Sequence, residues 1–221
     1  MMKMKFKNEV KCVIFDMDGV IIDSEEIHKK AYYETFNSLN VTVSDTLYKS
    51  FTGSSTINAF QRLVAHFNLD HKPEALVLDK RKRYVNFFED DPNLHLVEGV
   101  EEIIQYLYEK GITLILASSS AMVNIDRVFN RFNLNKYFTA KISGADLTES
   151  KPHPEIFNKA VTLGNTPKEN CCVIEDSDNG VTAANAANIF VFGYANKLSE
   201  GQTLENADLV IDDFKKLKEF L

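Results

Sequence analysis

Hydrophobic residues along the chain fall into two patterns. Val10–Phe15, Ile112–Ala117, Cys171–Ile174, Ile189–Phe192 and Leu209–Ile211 are short, almost continuously apolar runs rich in β-branched side chains. Continuous apolarity, rather than alternation, suits strands buried on both faces of a parallel sheet. Lys141–Ser143 is a weaker candidate of the same kind. The second pattern is helical. Val100, Ile103, Ile104 and Leu107 repeat at i, i+3, i+4, i+7, and Gly111 ends the run. Val123 to Phe132 and Pro154 to Leu163 behave alike. From about residue 97 onward helix and strand alternate, which predicts an α/β fold with a doubly wound parallel sheet.

The stretch from 24 to 95 differs. Ile57, Phe60, Leu63, Val64 and Phe67 recur at helical spacing, and no convincing strand interrupts them. This segment reads as a small all-α insertion, with residues 1–23 and 96–221 forming the α/β core. The expected hinges are Asp23-Ser24 and Asp90-Asp91-Pro92.

Composition narrows the functional classes. The chain has 221 residues, 44% of them hydrophobic and 26% charged, an ordinary balance for a soluble globular protein. A net charge of −7 argues against a broad nucleic-acid surface but leaves room for an anionic substrate beside a divalent cation. Lys80-Arg81-Lys82-Arg83 reads as a solvated helix face. Cys12, Cys171 and Cys172 are too few and too irregular for a disulfide framework, and read as small core residues in a reducing compartment. Met1–Lys7 is charged with no apolar run behind it, and no segment reaches the roughly 18 apolar residues of a membrane span. A cytoplasmic location is the resulting expectation, and a monomer is the expected state for a chain of this size.

Polar residues gather at the C-terminal ends of the predicted strands, the edge where open parallel sheets bind ligands. Asp16-x-Asp18-Gly19 follows the first strand. A carboxylate there can be a nucleophile, a metal ligand or both, and a second one two residues on can move protons. Ser118 and Ser119 follow the second strand, where hydroxyls and helix-start N–H groups suit phosphate oxygens. Lys151-Pro152-x-Pro154 holds an ammonium in a stiff turn. Glu175-Asp176-Ser177 puts adjacent carboxylates at a strand end, an arrangement that calls for a cation. Each motif alone also fits a turn, a helix cap or a surface residue. Together and in this order they describe a phosphoryl-transfer site.

The four motifs closely resemble those of the haloacid dehalogenase-like superfamily, over essentially the whole chain. The helical insertion is similar to that family's small cap. The resemblance implies that Asp16 forms an aspartyl-phosphate and that Asp18 protonates the leaving alcohol and then activates water. It also implies that Ser118 and Lys151 hold the phosphoryl oxygens. Magnesium (Mg2+) would be bound by Asp16, the Asp18 carbonyl and Asp176, with Glu175 as ligand or neighbour. An acid at position 18 favours phosphatase or phosphomutase chemistry, since dehalogenases proper lack it.

The closest branch is the β-phosphoglucomutase-like group, to which His28, Gly53 and Lys80 in the cap correspond. Lys80 matches a cap lysine that reaches the substrate. True mutases carry an arginine three residues after the cap-loop glycine, where this chain has Thr56. Thr56 lacks the fork of donors that grips a second phosphate. The expectation is therefore a phosphatase acting on a small phosphomonoester of the sugar-phosphate type, with a hexose-phosphate mutase as the alternative.

Overall fold

The computed structural model describes residues 9–196 and 201–221. Met1–Lys7, discussed above, lies outside them. Six parallel strands are β1 (Cys12–Phe15), β2 (Thr113–Ser118), β3 (Ala140–Ser143), β4 (Cys171–Glu175), β5 (Phe190–Tyr194) and β6 (Leu209–Ile211). Their order in the sheet is β3-β2-β1-β4-β5-β6. The chain winds outward from β1 in one direction and then from β4 in the other, so the topological switch point falls between these two central strands.

Alternate residues of the central strands face opposite layers. Val13, Phe15, Cys172 and Ile174 pack with α5 (Val100–Glu109) and α6 (Met122–Arg131). Cys12, Ile14, Cys171 and Val173 pack with α7 (Glu155–Gly164) and α8 (Asp178–Ala186). Each such side chain contributes roughly 2 kcal/mol on burial. A one-residue slip would exchange the two sets, so the register that fixes the strand ends is strongly specified. The three cysteines are free and buried, as expected of small core residues.

Four helices fill the segment after β1: α1 (Glu25–Ser38), α2 (Asp45–Lys49), α3 (Thr56–Phe67) and α4 (Pro73–Asp90). Ser44 and Ser55 cap α2 and α3 by accepting from Leu47 N and Asn58 N, and Pro73 opens α4. Tyr32, Phe36, Tyr48, Phe60 and Leu63 form a hydrophobic cluster of their own. Ile27, Ala31, Tyr84 and Phe88, on α1 and α4, instead join the cluster beneath the sheet. The helical segment is thus seated on the α/β layer by one face of two helices. The basic run on α4 departs from a solvated face at its first residue, because Lys80 is buried. None of the helices is long and apolar enough to cross a membrane among the described residues.

Candidate active site

The β1–β4 switch point brings the expected residues together. Asp16 follows β1, and its backbone N–H donates to Ile174 O across to β4 at 3.0 Å. Lys151 reaches in from the turn before α7, across a cis Lys151-Pro152 peptide. Its Nζ donates to Asp16 Oδ1 at 2.7 Å, Glu175 Oε1 at 2.6 Å and Ala117 O at 3.0 Å. Glu175 Oε2 accepts from the backbone N–H and hydroxyl of Ser177, each at 2.9 Å. Both oxygens of Glu175 are therefore engaged by protein donors, and its structural part is to hold Lys151 against Asp16.

Carboxylate oxygens of Asp16, Glu175 and Asp176 all lie within 4.8 Å of one another, and all three residues are buried. Gly19 has φ +82°, and a Cβ there would lie 2.0 Å from Asp176 Oδ2, so the turn after β1 needs a residue without a side chain. Burial raises the Asp16 carboxyl to about 7, against the pull of Lys151. Burial alone would lower the Lys151 ammonium, but Asp16 and Glu175 outweigh it and hold it above its ordinary range. Lys151 thus ties two of the three carboxyls, those of Asp16 and Glu175, to one ammonium.

Asp18 is held by three donors. Ser24 Oγ donates to Oδ1 at 2.5 Å, Ser120 Oγ to Oδ2 at 2.7 Å, and His28 Nε2 lies 3.1 Å from Oδ1. Lys80 Nζ sits 2.6 Å from His28 Nδ1. An ammonium can only donate, so Nδ1 is the acceptor and the Nε2–H donates to Asp18. Burial and Lys80 lower His28, which keeps the ring neutral. Burial tends to raise Asp18, but His28, Ser24 and Ser120 prevail and hold it well below the usual carboxylate range.

Ser118 does not cap the following helix. Its Oγ accepts from Ser120 N at 3.0 Å, and the N-cap of α6 is Ala121. Ser119 Oγ donates to Gly53 O at 2.9 Å, across from the helical segment. Asp16, Asp18, His28, Gly53, Thr56, Ser118, Ser119 and Asp176 line one cavity of about 80 Å³. Lys80 is not among its lining residues and stands behind His28, stacked over Tyr32 and Tyr84 at 4.6 and 5.1 Å. Glu25, Tyr32, Tyr48, Ser54 and Ser120 also face the cavity. Sequence reasoning did not single these out. A run of three serines at the end of β2 was the signal for Ser120, and its partner Asp18 lies 102 positions away.

The chain matches the model of the haloacid dehalogenase-like hydrolases over residues 13–194, a span that holds all four motifs. The chain belongs to this family. Among haloacid dehalogenase-like relatives, a phosphorylated carbohydrates phosphatase of Thermotoga maritima is 28% identical, over 91% of this chain and 93% of that one. Hexitol phosphatase B of Escherichia coli (strain K12) is 30% identical, over 83% of each chain. A β-phosphoglucomutase structure from Clostridium difficile superposes with a TM-score of 0.83 at 26% identity, covering 95% of this chain and 96% of that one. The haloacid dehalogenase-like fold and the β-phosphoglucomutase-like likeness inferred from the sequence therefore stand.

Proposed function

We propose that this enzyme is a magnesium-dependent phosphatase of small sugar-phosphate-type monoesters, working through a phosphoryl group carried on Asp16. The observation that carries this reading is the Lys151 bridge from Asp16 to Glu175 at the cavity edge, with Asp18 two residues on. The carboxylates suit magnesium, a hard cation with oxygen ligands: three buried residues each bring an oxygen within 4.8 Å of the others. Asp16 and Asp176 would hold the ion with the Asp18 carbonyl, and Glu175, already bonded twice over, would steady the set. When bound, magnesium supplies positive charge that lowers Asp16 into its nucleophilic form and screens the phosphoryl oxygens.

Asp16 attacks phosphorus and the alcohol departs. Lys151, Ser118 and backbone N–H groups after β2 receive the phosphoryl oxygens. Asp18 gives the leaving oxygen a proton, for which it must leave the donors that now depress its proton affinity. It then takes a proton from water. The donors from Ser24, His28 and Ser120 favour the carboxylate, the form required in this second half. The segment 24–95 acts as the cap that excludes bulk water and selects substrate. Support for treating it as a unit is its separate hydrophobic cluster.

A phosphate-release assay over a panel of sugar phosphates with magnesium tests this. Release is expected from at least one neutral sugar monophosphate, and Asp16→Asn should abolish it with an unchanged circular dichroism spectrum. A well-folded chain that releases phosphate from none would count against the reading. The His28–Asp18 contact and the β-phosphoglucomutase likeness favour a second reading, a hexose-phosphate mutase. Thr56 in the cavity speaks against it. Glucose 6-phosphate formed from β-glucose 1-phosphate with a bisphosphate primer would establish the mutase.

A further inference from the structure

The cavity has two chemically distinct ends. One is the phosphoryl end, at Asp16, Ser118 and Asp176. The other is walled by Glu25, Tyr32, Tyr48, Thr52 and Thr56, contributed by α1, α2, α3 and the loop between the last two. Among the described residues no lysine or arginine lines the cavity. Lys80, on α4, is bonded to His28 and acts on the cavity wall only through space. Glu25 is the acidic group of this far end. Among the described residues, none donates a hydrogen bond to its carboxylate.

Glu25 also belongs to an adjoining groove with Tyr48 and Thr52, so it stands at the passage from the cavity to that groove. The groove adds two further carboxylates, Glu26 and Asp45, against Lys29 and Lys49. A second phosphate or a carboxylate at this passage would meet a carboxylate with no cation lining the cavity, a like-charge juxtaposition that costs affinity. Hydroxyls or an ammonium would supply the donors that Glu25 lacks, since a carboxylate can accept from two neighbouring hydroxyls at once. Burial and the Asp18 charge push its carboxyl up to about 7, with Lys80 and Lys29 opposing the shift.

We propose that Glu25 selects the non-transferred part of the substrate, admitting polyhydroxylated monophosphates whose far end is neutral or cationic and rejecting those that carry a second anion there. This rests on the phosphatase reading above and names its substrate class. It identifies Glu25 as a specificity-determining residue, separate from the groups that transfer the phosphoryl.

The test compares glucose 6-phosphate, glucosamine 6-phosphate, 6-phosphogluconate and fructose 1,6-bisphosphate with magnesium. In the wild-type chain kcat/KM for the first two should exceed the other two by about tenfold or more. Glu25→Gln should narrow that gap to within about threefold, through KM rather than kcat, while Glu25→Asp keeps the ranking. An unchanged gap in Glu25→Gln, or a wild-type preference for the two anionic esters, would overturn the proposal. Should the wild type release phosphate from none, the phosphatase reading fails and calorimetric binding of the same four esters decides on Glu25. Tighter binding of the first two that Glu25→Gln flattens supports selection by Glu25, and equal binding of all four refutes it.

Discussion

Two lysines of similar burial have opposite electrostatic surroundings, and their removal should have opposite effects on stability. Lys151 lies among ionisable carboxylates, and Lys151→Met strands them in a buried site. The loss should be about 3 kcal/mol in urea unfolding. Magnesium should restore part of it by raising the midpoint. A variant as stable as wild type without metal would show that the carboxylates are not ionised together. Lys80 faces a neutral imidazole and aromatic rings, and burial lowers its ammonium from 10.5 to about 8, with Asp18 and Glu25 opposing the shift. Between those two values the unfolded chain binds more protons, so stability rises with pH across that window. The cost of the buried charge is fully present below pH 8. It amounts to about 3 kcal/mol at about 1.4 kcal/mol per unit. Lys80→Met should therefore be more stable than wild type at pH 7, with the difference fading toward pH 10. A difference independent of pH would mean that Lys80 is not the titrating group.

At the scale of elements, the strand ends meet the loop between α2 and α3. Ser119 donates to Gly53 O at 2.9 Å, and Asn179, at the start of α8, donates to Thr52 O at 2.6 Å. Gly53 has φ +77°, and a Cβ would stand 2.3 Å from Ser177 Oγ. Gly53→Ala should therefore strain the turn by about 1–2 kcal/mol and push the loop off the sheet edge. The expected outcome is about a tenfold fall in kcat/KM with the fold retained, and unchanged kinetics would show that this loop does not need its seat. These junctions explain what the sequence revealed and what it withheld. The apolar runs located β1, β2, β4, β5 and β6, most plainly the central strands buried on both faces, whereas β3, half-buried and carrying Lys141, left a weaker signature. The runs stopped short of Ser118 and Glu175, which the ladders include, because backbone pairing continues through polar side chains. Asp16, Ser118 and Asp176 were legible from their places at strand ends, and Lys151 from its turn stiffened by Pro152 and Pro154. Ser24, Ser120 and Glu25 were not, since a small hydroxyl or a helix-start acid acquires its role only when a distant segment closes over it.

For the whole molecule, the sheet order places the switch point where β1 and β4 adjoin, and the helical segment inserted after β1 covers that point. The result is a small cavity walled by the sheet edge on one side and by the helices on the other; in the proposed function the first side reacts and the second selects. Such a division lets one phosphoryl-transfer centre serve different esters by changing the helices alone. The central claim is that the phosphoryl group rests on Asp16 before water receives it. Its most direct measurement is rapid acid quench during turnover, borohydride reduction and peptide mass spectrometry. Reduction should convert residue 16 to homoserine, with the signal absent in Asp16→Asn. Turnover with residue 16 unmodified, or with another residue reduced in its place, would contradict it.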